Sequence, residues 1–367
     1  MKFLHMSDLH IGKSVNAFPM IEEQKHAFKQ MIGYIKTERP AAVIIAGDVY
    51  DRAVPSVEAV NVFDDFLTEL ASFSIAIMLI PGNHDSPERI SYASRLLLDK
   101  NLYLCGPFDE RVDKVTLTDE FGEVNFWLLP FIRPYENAVA AALETADIDY
   151  AARNVLVSHQ FYTKADFKPI RSDSELNYIG GLDAVDAGLV KLFDYTALGH
   201  LHGRQSLAAN IHYSGSPVKY SFSEWQQEKS VTVVELKEKG ELTVKQLAIT
   251  PIHDMREIKG ELETLISREV TSLADTDDYI RAVLTDDEEI IDPLGKLRSV
   301  YPNIMSLDFD NSRTSIDISA IAADIAEIEK ISPFRLFNDF FLETNGSIMS
   351  LEQAAIVRRL LETEGEE

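Results

Sequence analysis

Ala42-Val-Ile-Ile-Ala46, followed by Gly47-Asp48-Val-Tyr-Asp51, is an apolar run that ends on a residue able to hold a divalent metal. The same arrangement recurs along the chain. Upstream, Lys2-Phe-Leu-His5 leads to Asp8-Leu-His10. Downstream, Ile75-Ala-Ile-Met-Leu-Ile80 runs into Pro81-Gly-Asn83-His84-Asp85, Asn154-Val-Leu-Val157 into Ser158-His159, and Tyr195-Thr-Ala-Leu198 into Gly199-His200-Leu-His202. Apolar runs of four to six residues rich in Val, Ile and Leu read as strands buried on both faces. In open α/β sheets the functional crevice lies beyond the carboxyl ends of the strands. Ligands placed just after these strands can therefore converge on one rim, although they span positions 8 to 202.

The candidate ligands are Asp8, His10, Asp48, Asn83, His159, His200 and His202. Imidazole mixed with oxygen donors suits Mn, Fe, Zn or Co better than magnesium alone. Seven side chains are too many for one ion of ordinary coordination. Shared between two ions, with Asp48 bridging, they give about four contacts each. Two-metal sites hold the ions ~3.5–4 Å apart and stabilise both the attacking and the leaving oxygen of an in-line displacement.

Asp8-Leu-His10, Gly47-Asp48-Val-Tyr-Asp51, Gly82-Asn83-His84-Asp85, His159 and Gly199-His200-Leu-His202 together resemble the calcineurin-like metallophosphoesterase superfamily, over the first ~215 residues. The resemblance implies a β-sandwich flanked by helices. By position, Asp8, His10, Asp48 and His202 would hold one metal, and Asp48, Asn83, His159 and His200 the other. His84 would contact the phosphate and help protonate the leaving oxygen, a task suited to imidazole near neutral pH.

Within the superfamily the chain is most similar to the nuclease subunits of bacterial DNA-repair complexes. The signatures are His5-Met-Ser-Asp-Leu-His-Ile-Gly12, Gly47-Asp-Val-Tyr-Asp-Arg52 with Pro55-Ser56, and Gly199-His-Leu-His202 leading to Tyr213-Ser-Gly-Ser-Pro217. That likeness implies a manganese-dependent nuclease that trims DNA double-strand ends 3′ to 5′ and opens hairpins. It also implies a coiled-coil ATPase partner in a complex of two subunits each, self-association through the nuclease domain, and a cytoplasmic, nucleoid-associated location. Archaeal and eukaryotic relatives carry a histidine where this chain has Asp51, so no role of that histidine transfers here. Lys164, Lys168 and Arg171, after His159, are candidates for backbone phosphate contacts, with solvated surface charge as the alternative.

The remaining histidines and the cysteine read as structural. His5 lies inside a strand run and reads as a packed side chain, and His26, His212 and His253 fall outside the pattern. The single Cys105 rules out an internal disulfide, and fits a reducing cytoplasm. No apolar segment approaches ~18 residues, so no transmembrane helix is expected, and no leader pattern precedes the first strand.

The chain carries a net charge of −25, which argues at first against a polyanionic substrate. The charge is uneven. Residues 251–367 hold 11 basic and 26 acidic side chains, against 24 and 34 in the first 250. With screening over ~8 Å at physiological salt, the local field matters more than the total, and bound metals add positive charge to the less acidic part.

Phe28, Met31, Ile32 and Ile35 have helical spacing and predict a helix over about 20–37, ending before Pro40. Val57, Val60, Phe63, Leu67 and Leu70 predict a second, starting near Pro55-Ser56. Strand and helix alternate over the first 80 residues, a βαβ pattern with a largely parallel sheet. Ile211–Pro217, Ser230–Leu236 and Leu242–Ile249 read as consecutive strands completing it. The expected layout is a nuclease domain over 1–250, a small α+β capping domain over 251–315, and a helical segment over 316–367. The capping part should hold strands at 279–284 and 304–309 around a helix at 293–300. The helical segment has apolar stripes at Ile318, Ile321, Ile325 and Ile328, then at Phe334, Phe337, Phe340 and Phe341. Ser350 and Gln353 form a capping box for a last helix. An aromatic hairpin of this kind is a candidate partner-binding element.

Two other readings fit parts of the sequence. The metal pattern alone also suits another calcineurin-like phosphodiesterase or phosphatase acting on a small or protein substrate, for which the extra C-terminal residues are superfluous. A non-enzymatic scaffold with a structural metal site is the second, and the presence of His84 beside a complete ligand set weighs against it.

Overall fold

The computed structural model describes residues 1–132, 138–164, 169–175 and 184–311, with a few positions between 334 and 357. The chain divides into two compact units, Met1–Val283 with Ile291–Asp308, and Leu284–Ile290 with Phe309–Glu367.

The first unit is built on two six-stranded sheets. One runs in the order Leu242–Ala248, Ser230–Leu236, Lys2–Met6, Ala42–Ala46, Ala76–Ile80, Leu102–Leu104. Its last four strands are parallel, and the strands 230–236 and 242–248 are added antiparallel. These two complete the sheet as the sequence predicts, whereas the strand predicted from Ile211 spans Ile211–Tyr213 and joins the second sheet, because it pairs parallel with Tyr195–Leu198. The other sheet runs Gln205–Ala208, Ile211–Tyr213, Tyr195–Leu198, Arg153–Ser158, Gly122–Leu129, Asp113–Asp119, parallel through its four central strands. The ligand-bearing runs are thus divided between two sheets.

Alternation along each strand explains why the runs are apolar throughout. Phe3, Ile44 and Met78 join Phe126, Val155 and Tyr195 in the layer between the sheets. Their neighbours Leu4, Val43, Ile45 and Ile77 face outward and pack with the helices Ile21–Glu38 and Val57–Ala71. On the far side Trp127, Leu156 and Leu198 pack with the helix Ala138–Thr145. Helix, sheet, sheet and helix form four layers, so both faces of each sheet are covered. The inner layer is keyed by aromatics, with the Phe3 ring edge-on to Phe126 at 5.5 Å and to Tyr195 at 5.7 Å.

Both predicted helices are present. The first ends on Arg39 in left-handed geometry just before Pro40. The second starts from Ser56, whose side chain accepts the Ala59 N–H at 3.1 Å. The strands Met255–Gly260, Tyr279–Leu284 and Ile304–Phe309 form a three-stranded sheet, with a helix at Pro293–Arg298 capped by Asp292. Within the second unit, the expected capping box forms. Gln353 N–H donates to Ser350 Oγ at 3.2 Å, and Ser350 N–H to Gln353 Oε1 at 2.9 Å. Phe334, Phe337 and Phe341 are helical. Ile318, Ile321, Ile325, Ile328 and Phe340 lie outside the described residues, as does Lys168. No helix among the described residues is long and apolar enough to cross a membrane.

One buried cation ties the two sheets together. Arg153 donates to both Asp119 oxygens at 2.6 and 3.2 Å, to Gly122 O at 2.7 Å and to Lys237 O at the end of a strand in the other sheet. The Arg153 guanidinium beside Asp119 holds its carboxyl well below the usual carboxylate range. A depressed carboxylate adds stability that is present above its unfolded value, about 3.9, and is lost as pH falls through the folded one. Urea unfolding of Asp119→Asn between pH 7 and pH 3 should show lower stability at neutral pH and a flatter acid limb than the wild type. Parallel curves would contradict this role.

Candidate metal centre

Backbone geometry, before any side chain, marks the rim where the two sheets meet. Asp8, His10, Asp48 and His200 have φ of 54°, 43°, 51° and 99°. Non-glycine residues seldom adopt positive φ, and such conformations persist where surrounding structure over-determines them, often at functional sites. The glycines in the motifs have an equally direct cause. A Cβ on Gly82 would lie 2.1 Å from Asp48 Oδ1, and one on Gly199 would lie 1.9 Å from Ala46 O and 2.6 Å from His159 Nδ1. The loops approach so closely that no side chain fits between them.

These loops bring all seven predicted ligand side chains into one cluster. His10 Nε2 and His202 Nε2 face each other at 3.0 Å, and one ligand atom from each of Asp8, His10 and His202 lies within 4.8 Å of the others. Asn83 Oδ1 sits 3.1 Å from His159 Nε2 and 3.0 Å from His200 Nδ1. Asp48 stands between the two groups. Its Oδ2 is 3.6 Å from His10 Nε2 and 3.4 Å from His159 Nε2, while its Oδ1 accepts the His84 N–H at 2.9 Å. Asp8 accepts the His200 N–H. Six of the seven are buried, and Asn83 is half-buried.

The donor set fits divalent cations. His159 Nδ1 lies 2.7 Å from Ala46 O, a group that can only accept, so Nδ1 carries a proton. In the neutral ring Nε2 is then a lone pair aimed at two further acceptors, Asn83 Oδ1 and Asp48 Oδ2. Such an arrangement is repulsive unless a cation lies among them. In a metal-free ring a proton on Nε2 meets the same need. Burial lowers His159, but the Asp48 carboxylate more than reverses this and pushes it up to about 9. Burial would raise Asp48, yet His159, His10 and His84 hold it well below the usual range. Burial brings His200 down to about 3, so that ring is neutral, and its Nε2 is buried without a partner.

His84 is half-buried beside the cluster, its ring edge-on to His10 at 4.8 Å and its Nδ1 2.9 Å from Asp51 O. Asp85, the last residue of the same motif, accepts from the backbone of Val49, Tyr50 and Gly82 at 2.9–3.0 Å and so locks two ligand loops together. Of the basic candidates, Arg171 is half-buried with its guanidinium 3.6 Å from the Phe161 ring, which in turn lies 6.3 Å from the His200 ring. Lys164 is exposed. His5 is a packed residue as expected, buried and 3.0 Å from Tyr195 Oη. Cys105 is buried, and burial pushes its thiol well above the usual range.

Three charged residues escaped the sequence reading. Glu175 Oε1 accepts the His202 N–H at 2.7 Å, Glu224 Oε1 lies 3.1 Å from His202 Nδ1, and Lys229 Nζ donates to His202 O at 2.9 Å and Glu224 Oε2 at 2.6 Å. Burial pushes Glu175 up to about 7. Burial would raise Glu224 too, but Lys229 and His202 hold it well below the usual range. None of the three stands in a motif, and a buried acid five residues before a lysine has no signature in sequence.

The calcineurin-like phosphoesterase family model matches residues 1–204, and a model described as the type 5 capsule protein repressor C-terminal domain matches residues 251–345. Among curated relatives, the SbcD subunit of the nuclease SbcCD from Staphylococcus epidermidis is 30% identical over 382 aligned positions, covering 98% of each chain. Its namesake from Staphylococcus saprophyticus is 29% identical over 380, again covering 98% of each. Similar solved structures include a dimetal phosphatase from Danio rerio, with a TM-score of 0.41 and 12% identity over 68% of this chain and 99% of that one. Another, from Thermus thermophilus, has a TM-score of 0.40 and 13% identity over 67% and 98%.

Gly82→Ala should abolish tight divalent-metal binding while leaving the far-ultraviolet circular dichroism unchanged, because the new methyl group collides with Asp48 and not with the core. Metal content after dialysis checks this. A variant that still retains the wild-type amount would show that the two loops can separate without loss of the cluster.

Proposed function

The chain belongs to the calcineurin-like phosphoesterase family and, within it, to the SbcD nuclease subunits, and on that premise we propose that it is the DNA-cleaving subunit of an SbcCD-type complex. It is a metal-dependent phosphodiester hydrolase. The finer reading is manganese-dependent hydrolysis of DNA, as a 3′–5′ exonuclease at double-strand ends and an endonuclease at hairpins, in concert with a coiled-coil ATPase. What carries it is similarity to the SbcD relatives over 98% of the chain, combined with a seven-residue cluster whose lone pairs converge.

In this reading Asp8, His10, Asp48 and His202 hold one ion, and Asp48, Asn83, His159 and His200 the other. Paired ions of this kind stabilise the attacking and leaving oxygens of an in-line displacement. The residues supply the rest. Asp48 is fixed by the His84 backbone N–H, so its second oxygen stays directed between the two groups. With Nδ1 committed to the Asp51 carbonyl, His84 has Nε2 to exchange a proton with the departing sugar oxygen. Arg171, stacked on Phe161, whose ring lies 6.3 Å from that of His200, would meet the phosphate backbone, with Lys164 and Lys168 as further candidates for such contacts. The proposed division of labour is nuclease over 1–250, cap over 251–315 and partner binding over 316–367, with Phe334, Phe337, Phe340 and Phe341 as the apolar contact. The complex would pair two copies of each subunit, with this chain self-associating through its nuclease part, at the nucleoid.

Purified protein should degrade linear duplex DNA with Mn²⁺ and not without it. His84→Ala should slow this by about 10²–10⁴-fold with metal content retained. Turnover of a generic phosphodiester without cleavage of duplex or hairpin DNA would favour a small-substrate enzyme instead. Deleting residues 333–367 should abolish binding to the ATPase and spare metal-dependent cleavage; retained complex formation would move the interface elsewhere.

A further inference from the structure

The four histidines of the cluster differ in what stands behind them. His159 is backed by a neutral backbone carbonyl, at Ala46. His10 Nδ1 and His200 Nε2 are buried without a hydrogen-bond partner. Among the described residues, only His202 of the four has a carboxylate within hydrogen-bond reach behind it; the next nearest, Asp51 Oδ1, stands 3.9 Å from His10 Nδ1. Glu224 Oε1 lies 3.1 Å from Nδ1, and Ser174 Oγ lies 2.8 Å from Nδ1 while donating to the same Oε1 at 2.6 Å. A carboxylate only accepts, so Nδ1 bears the proton and Nε2 is the lone pair that faces His10 Nε2.

Glu224 is fully buried and is itself fixed from behind. Lys229 Nζ donates to Glu224 Oε2 at 2.6 Å, to Ser216 Oγ at 2.9 Å and to the His202 carbonyl at 2.9 Å, and the Tyr220 N–H donates to Oε2. With the His202 N–H held by Glu175, the residue's backbone N–H, carbonyl and Nδ1 are each committed, and only Nε2 remains for a ligand. A carboxylate donating charge through an imidazole fixes its orientation and raises its basicity as a ligand.

We propose that Glu224, set by Lys229 and Ser174, is the positioning residue that makes the subsite of Asp8, His10 and His202 the tighter of the two, so that this subsite fills first. The inference rests on the two-metal reading above. Its consequence is an ordered assembly in which one ion is resident and the other is taken up by a weaker subsite, where the imidazoles have no carboxylate behind them.

Manganese titration of the full chain by calorimetry, with low-temperature electron paramagnetic resonance to separate lone from spin-coupled ions, tests it. Wild type should bind two ions in separable steps, the first as an isolated ion and the second producing the coupled signal. In Glu224→Gln the tight step should weaken about 10–100-fold while the weak step keeps its constant, and the metal-free variant should keep the wild-type far-ultraviolet circular dichroism although it melts lower, because Lys229 loses its buried counter-ion. Equal weakening of both steps, or of neither, would overturn the proposal. Should that variant not fold, Ser174→Ala removes one partner of Nδ1 without uncovering a charge. It should weaken the tight step alone by several-fold, and an unchanged titration would overturn the proposal equally. A wild-type chain that binds no manganese would instead bring down the two-metal reading, and this inference with it.

Discussion

The distance between Gly199 and the Ala46 carbonyl governs this protein. A methyl group on Gly199 would lie 1.9 Å from that oxygen, so the strands 42–46 and 195–198 can finish side by side only if a hydrogen atom occupies the space between them. The two strands belong to different sheets, and their junction is what lets ligands carried by each sheet share a single cluster. Three features of the first unit support that junction. The inner aromatic layer sets the spacing of the sheets, the outer helices cover their other faces, and Arg153 clamps the edge away from the rim. Were the sheets farther apart, Asn83 from one could not meet His159 and His200 from the other at about 3 Å.

Much of this was legible in the sequence, for physical reasons that can be named. Strands covered on both faces must be apolar along their length, so 42–46 and 76–80 announced themselves. Polar ligands directly after such strands contrast sharply with them, which is why all seven could be picked out, and the structure gathers all seven. The helix at 57–71 was readable from Ser56 and its apolar spacing. The sharing of the strands between two sheets was not readable from periodicity, because a doubly covered strand looks the same in either sheet. Glu175, Glu224 and Lys229 were invisible for a different reason. Their meaning lies wholly in contact with His202, 22 to 27 residues away, and nothing in their own neighbourhoods distinguishes them from surface charges.

The strongly negative net charge is less paradoxical at close range. Within the cluster two of the carboxylates are answered locally, Asp48 by three histidines and Glu224 by Lys229. Lys229 is buried to 7% exposure with four acceptor oxygens within 2.9 Å of its Nζ, so its charge is spent inside the protein and adds nothing to the outer surface. The acidic excess is heaviest beyond residue 250, outside the stretch that carries the seven ligands.

The left-handed backbone at Asp8, His10, Asp48 and His200 narrows what evolution can place there. Asparagine, aspartate and histidine are the non-glycine residues that tolerate this conformation best, and two of those three are also strong metal ligands. Conformational and coordination demands therefore select overlapping alphabets at the same positions. An aspartate that drifts to asparagine loses its charge but keeps the loop in shape. Such a site can be silenced chemically without being dismantled, so a working centre and a purely architectural one stand a single conservative change apart.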